Sequence, residues 1–189
     1  MQYKLIRSRR KTISIQVGQD GILVVRAPLY SGIPQIEGFI LEKMPWIEKQ
    51  KRLQQEKTLK LSSVKPMTPE QFSRLKKIAK GLASQRIAYY APMLGVSDRL
   101  GKVTVRCQKT KWGSCTSEGN ISINCLLALA PQQVFDSVIV HELCHLLEMN
   151  HSKRFYYHVL RVFPEYQKWN RWLKENGAML HAMVPRSQR

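Results

Sequence analysis

The feature that most constrains this chain is a histidine-rich stretch, His141-Glu-Leu-Cys-His145, followed six residues later by His151. If residues 134–147 form one helix, an advance of about 100° per residue places His141 and His145 on the same face, one turn apart. Two imidazoles stacked in this way bind one metal ion through ring nitrogens at roughly 2.0–2.1 Å. Glu142 lies beside them, where a general base takes a proton from metal-activated water. The stretch therefore predicts a zinc hydrolase site.

A catalytic zinc needs a third protein ligand, and His151 is placed to supply it. Asn150 and Ser152 indicate that the first helix has ended and that another begins. The spacing H-E-x-x-H-x-x-x-x-x-H is the one that metzincins use, but this chain has Glu148 where they carry a glycine. We therefore expect a longer helix here, with a different exit angle.

The flanks of the motif argue against a chance arrangement of surface histidines. Apolar residues surround the predicted helix on nearly every side, which indicates that it is buried. These residues are Val134, Phe135, Val138, Ile139, Val140, Leu143, Leu146 and Leu147. Two histidines and a glutamate in a buried helix need partners, because an unpaired buried charge is costly. A metal ion supplies such partners.

Composition limits the class of protein. A chain of 189 residues, 43% of them hydrophobic, buries its own core and is globular rather than disordered. No run approaches the roughly 20 apolar residues of a membrane span, and no apolar signal core follows the basic N-terminus, so we expect no membrane partner. The four cysteines lack C-x-x-C pairing, which favours small buried residues in a reducing cytoplasm. The oligomeric state is left open.

The formal net charge of +18 concerns partners rather than fold. Two interpretations stay open. One is a solvated basic surface, and the other is contact with a polyanion such as nucleic acid or a nucleotide.

The element pattern predicts an α+β chain in two parts. Residues 1–62 form an N-terminal β-hairpin and helix lobe, whose hairpin turns at Gln19-Asp20-Gly21. Residues 68–177 form the catalytic core, in which the metal-binding helix joins a small antiparallel sheet. The last helix is expected to end at Gly177, which leaves residues 178–189 as a loosely held basic tail.

Two groups near the motif are candidates for substrate binding. Trp112, Gly113 and Ser114 lie in a polar segment between predicted strands. Trp112 either plugs the sheet edge or forms a wall of the active-site cleft, with the strand at 119–124 offering edge backbone groups to an extended substrate. Tyr156 and its neighbour Tyr157 follow the third ligand. Either hydroxyl stabilises a developing oxyanion, or both are ordinary core or rim tyrosines.

Several motifs, taken in order, resemble the YgjP-like metallopeptidase family, whose wider kin are the SprT-like and WLM zinc peptidases. They are Lys111-Trp-Gly-Ser-Cys115, Asn120-Ile-Ser-Ile-Asn124, Leu129-Ala-Pro131, His141-Glu-Leu-Cys-His145, and Asn150-His-Ser152 with Phe155. The resemblance implies a zincin-like, gluzincin-related core with Zn²⁺, or another divalent metal, on the three histidines and Glu142 as general base. Family members usually carry Trp where this chain has Tyr156.

The implied activity is that of a zinc-dependent hydrolase, a cytoplasmic metallopeptidase acting on peptides. Two alternatives stay open. A metal-dependent nucleoside triphosphate pyrophosphohydrolase suits the positive charge, because activated water also attacks phosphoanhydrides. A DNA-associated protease of the SprT-like kind predicts DNA affinity that falls steeply with salt.

Overall fold

The computed structural model describes residues 2–18 and 20–188, and it confirms the α+β class. The strands are β1 Tyr3–Ser8, β2 Ser14–Val17, β3 Leu23–Pro28, β4 Val103–Arg106, β5 Gly113–Cys115 and β6 Ile121–Asn124. The helices are α1 Ile33–Glu42, α2 Met44–Ser62, α3 Pro69–Leu94, α4 Gln132–Cys144, α5 Lys153–Val162 and α6 Tyr166–Ala182. The chain divides into two compact units, Met1–Ser63 and Val64–Arg189.

The first unit is a three-stranded sheet with two helices. Strands β2 and β3 form the antiparallel pair that the hairpin pattern predicts, and β1 adds to β3 in parallel, giving the order β1-β3-β2. In the connecting turn Gly21 has a φ of 78°, which glycine adopts at little cost, while Gln19 lies outside the described residues. Buried side chains from β3 and the helices form its core: Leu23, Val25, Ala27, Ile36, Ile40 and Ile47.

The second unit packs helices against one face of a small sheet. Its longest helix, α3, begins with a capping box in which Thr68 and Gln71 exchange hydrogen bonds. A buried ion pair ties α3 to α4, with Arg86 Nε 2.6 Å and Nη2 2.8 Å from the two carboxylate oxygens of Asp136. This pair holds α4, which carries the histidine motif, against the longest helix.

The second sheet corrects two sequence-based expectations. Its order is β4-β6-β5, with β4 parallel and β5 antiparallel to β6, so the sheet is mixed rather than antiparallel. The strand at 119–124 was expected to offer a free edge, but β6 is hydrogen-bonded on both sides. The edge next to α4 belongs instead to β5. After β4 the chain forms β5 on the far side of the sheet, and a tight turn at Gly119 then leads into β6, which lies between the other two strands.

The last helix continues past the glycine at which it was expected to end. Gly177 lies inside α6, where an added Cβ would lie 2.7 Å from the Trp112 ring. The glycine therefore permits a close approach of helix and ring, and it does not end the helix. Leu180 and Val184 are buried, so this part of the predicted loose tail packs against the core, while Arg189 lies outside the described residues. Within the described part of the chain, no helix has the length and apolar character needed to cross a bilayer.

Candidate metal centre

Helix α4 delivers the first part of the site from inside the core. Ten of its residues are buried, including Glu142 and the flanking Val140 and Leu143. The helix ends at Cys144, with His145 as its C-terminal cap, one turn after His141. Because the core covers α4 on most sides, its C-terminal end is fixed in place for the two histidines.

The chain then turns more sharply than the sequence indicated. A longer helix was expected because Glu148 replaces a glycine, but residues 145–148 form a tight turn of hydrogen bonds to the carbonyls of residues 142–144. No non-glycine residue in the described chain has a positive φ, so this turn does not require a glycine. The Glu148 carboxylate lies 3.0 Å from Arg154 Nε, which fastens the turn to α5.

His151 returns to the motif just before α5. The Ser152 hydroxyl caps that helix by accepting a hydrogen bond from the Phe155 amide at 3.3 Å. The ligand atoms of His141, His145 and His151 all lie within 4.8 Å of one another. The structure thus brings together the three histidines that the spacing predicted.

The donor atoms suit a divalent ion. The Nε2 atoms of His141 and His151 lie 3.0 Å apart, near the roughly 3.3 Å that separates two tetrahedral zinc ligands. Burial, together with neighbouring His145 and His151, lowers the pKa of His141 to about 4. Burial also lowers the pKa of His145. The rings of His141 and His145 are therefore neutral near pH 7, which is the form that binds metal.

Two further contacts orient the rings. His145 Nδ1 donates to the Glu148 carbonyl at 3.1 Å, which leaves Nε2 of this ring free. Nδ1 of His141 lies 2.9 Å from the Tyr166 hydroxyl. Because Nε2 of His141 faces the cluster, its Nδ1 carries the proton and donates a hydrogen bond to the Tyr166 hydroxyl oxygen. Tyr166 escaped the sequence analysis because it lies 25 residues from His141 in a helix without ligand spacing.

Glu142 is held in a tightly packed position. Its side chain is buried, and burial raises its pKa to about 8, while the charge of Lys111 acts in the opposite direction. Gly113 packs directly on this carboxylate, since an added Cβ would lie 2.6 Å from Glu142 Cγ. A carboxylate with a raised pKa beside a cluster of metal-binding donors is equipped to move a proton.

The segment at 112–115 runs over this carboxylate. The Trp112 carbonyl accepts a hydrogen bond from the backbone amide of Asn124, and the Thr116 amide donates one to the Asn120 carbonyl. Every second residue of this segment is therefore hydrogen-bonded to β6. The backbone groups of Gly113 and Cys115 therefore point to the free edge. Burial, with the Glu142 charge, raises the pKa of the Cys115 thiol to about 11, so Cys115 shares the Glu142 side of the strand.

The candidate substrate residues divide into two groups. Trp112 and Gly113 line a cavity of about 230 Å³ that also contacts His141, Glu142 and Tyr166. The Tyr156 ring lies near the cluster, with its centroid 6.3 Å from that of His151. Ser114 instead lines a cavity with Thr104 and Ser122 on the other face of the sheet, because side chains alternate along a strand. Tyr157 is 63% exposed, and its ring meets the ring of His158 edge-on rather than the cluster.

Comparison with known proteins gives one family. A model described as "YgjP-like, metallopeptidase domain" matches residues 70–176, more than half of the chain. No curated protein matches the chain with significance. Among solved structures, the crystal structure of the metallopeptidase zymogen of Pyrococcus abyssi abylysin is similar, at a TM-score of 0.45 and 22% identity, over 49% of this chain and 93% of that one. The span matched by the family model contains the three histidines, Glu142 and β5.

Proposed function

The chain belongs to the YgjP-like metallopeptidase family, and from that premise we propose that it hydrolyses peptide bonds with Glu142 as general base. The proposed ligands of its metal are His141, His145 and His151, and zinc is the ion that three imidazoles with an open fourth position suit best. The observation that carries the proposal is the convergence of these three side chains next to one buried carboxylate.

The protein groups divide the reaction between them. A bound divalent ion supplies Lewis-acid polarisation and acidifies water. Glu142 accepts a proton from the attacking water as its oxygen bonds to the scissile carbonyl carbon. The carboxylic acid then returns that proton to the amine nitrogen as the C–N bond breaks, so the carboxylate is regenerated. Burial raises the pKa of Glu142, which makes its carboxylate form a stronger base toward the attacking water.

The free edge of β5 is the proposed substrate track. The backbone groups of Gly113 and Cys115 are oriented to bond an extended peptide, as exposed sheet edges do. The peptide would lie over Glu142, because Gly113 contacts that carboxylate. Trp112 forms a wall of the cavity, and the Tyr156 hydroxyl is the proposed partner of the developing oxyanion.

The test separates metal binding from proton transfer. We expect Glu142→Gln to retain one metal ion per chain while peptide hydrolysis falls by at least a thousandfold, and His151→Ala to lose the metal. His158→Ala, a histidine outside the cluster, serves as control and keeps both. A Glu142→Gln variant that cleaves normally would contradict the assigned base.

A substrate panel tests the reaction class. Casein and the four nucleoside triphosphates are incubated with protein loaded with zinc or manganese, beside Glu142→Gln. We expect Glu142-dependent cleavage of casein. Hydrolysis of triphosphates alone would replace the peptidase proposal with a pyrophosphohydrolase.

The same proposal places the enzyme in the cytoplasm, where its four cysteines stay free, as they are in the structure.

A further inference from the structure

Two cavities meet the histidine cluster from opposite ends of β5. The first, of about 230 Å³, contains Gly113 and is bounded by His141 and Glu142. The second, of about 280 Å³, contains Thr116 just past the strand and is bounded by His145. An extended peptide bonded to β5 would therefore enter both cavities and cross the cluster between them.

Each cavity carries a cation in its wall. Lys111 lines the first cavity and Arg99 lines the second. Among the described residues neither takes part in an ion pair, and the Arg99 guanidinium makes one hydrogen bond, from Nη1 to the Leu146 carbonyl at 3.3 Å. Both side chains thus retain unused donors.

Among the described residues, one acid shares a lining with these cations. Glu142 lines the first cavity with Lys111, whose charge opposes the rise in the Glu142 pKa that burial causes, and Glu142 is buried at the reaction centre. Glu118 follows Ser117 in the loop of the second cavity, but it is not part of the described lining, and its carboxylate accepts a hydrogen bond from the Ser117 hydroxyl at 3.1 Å. Glu148, on the far side of His145, is paired with Arg154.

We propose that the enzyme selects acidic peptides, with Lys111 and Arg99 binding carboxylate side chains on the two sides of the scissile bond. This inference rests on the proposed peptidase function. Gly113 and Thr116 are three residues apart, or roughly 10 Å along a strand. The parts of the substrate that enter the two cavities should therefore be about three residues apart. Because both side chains are exposed, each charged contact should give roughly a two- to fivefold preference over a neutral isostere.

The experiment measures which residues flank the cleavage sites rather than the rate of cleavage. A library of proteome-derived peptides is digested with metal-loaded full-length protein, and cleavage sites are identified by mass spectrometry. We expect Asp and Glu to be enriched on both sides of the cut. Arg99→Gln should abolish the enrichment on one side and Lys111→Gln on the other, while Arg99→Glu should replace acidic with basic residues on the Arg99 side. Arg99→Lys should retain it.

The control is Lys80→Gln, which removes an exposed positive charge on α3 outside both cavities and should leave the pattern unchanged. Synthetic peptides that differ as Glu or Gln at the two positions then give the ratio of kcat/KM. Cleavage without acidic enrichment, or enrichment that persists in both Gln variants, overturns this inference and leaves the peptidase assignment intact. Absence of any peptide cleavage by the wild-type protein contradicts the assigned function, and this inference fails with it.

Discussion

At the scale of single residues, the site depends on how closely its neighbours approach the reacting groups. At Gly113, the Glu142 side chain occupies the space that a Cβ would need. At Gly177, the Trp112 ring occupies that space. Tyr166 reaches the remote nitrogen of His141. These contacts position the carboxylate and the first ligand without adding chemistry of their own.

The contact with Gly113 predicts the effect of one methyl group. In Gly113→Ala the new Cβ would overlap Glu142, and the carboxylate must move. We expect kcat/KM to fall by about a hundredfold with metal content unchanged, since small misplacements of a catalytic group have effects of this size. The control is Gly81→Ala, because nothing lies within 4 Å of the added atom at that exposed helical position. Equal activity of the two variants would show that Gly113 does not position Glu142.

The hydrogen bond from His141 predicts a change in metal affinity. Tyr166→Phe removes the acceptor of the Nδ1 proton and keeps the ring, so we expect zinc affinity to fall about 10- to 100-fold. Competition with a chromophoric chelator measures the affinity. Tyr89→Phe, at a 53% exposed position on α3, provides the matched control. An unchanged affinity in Tyr166→Phe would mean that this contact is not part of the metal centre.

At the scale of elements, the site is assembled where α4, the turn at 145–148, α5 and β5 meet. Helix α4 and its C-terminal cap supply two histidines and Glu142, the turn returns the third histidine, and the strand covers Glu142. Helix α4 is itself held by the buried pair of Arg86 and Asp136, which joins it to α3.

This ion pair predicts a large loss of stability from a single change. Arg86→Met leaves the Asp136 carboxylate buried without its cation, and we expect the free energy of unfolding to fall by about 3–5 kcal/mol in urea titrations. Glu42→Gln, which breaks the exposed pair with Lys43, should change it by less than about 1 kcal/mol. The double variant Arg86→Met with Asp136→Leu should recover most of the loss. A small effect in Arg86→Met would show that the pair does not stabilise α4.

At the scale of the whole molecule, the proposed ligands link metal binding to folding. Their arrangement exists only when α4, the turn and α5 are in place, so an ion would bind the folded unit Val64–Arg189 in preference to the unfolded chain. The net charge of +18 is a property of the same scale, and it attracts anionic partners in general.

Removal of metal should therefore lower thermal stability. With free zinc about 1,000-fold above its Kd, binding contributes about 4 kcal/mol. At roughly 3 °C per kcal/mol for a unit of this size, chelation should lower Tm by about 10 °C. Differential scanning calorimetry with and without chelator measures the shift, which should vanish in His151→Ala. A wild-type Tm that does not respond to chelation would contradict the three-histidine site.

The local sequence determined what depends on neighbours along the chain. The i, i+4 spacing placed His141 and His145 on one face, the cap at Ser152 marked a helix start, and the Asp20-Gly21 turn marked the antiparallel pair of β2 and β3. Tertiary structure decided what depends on residues that are distant along the chain. The free edge of β5, the Tyr166 contact, the glycine at 177 and the two cations beside the cluster are long-range pairings, and local periodicity carries no information about which distant segment fills a given space.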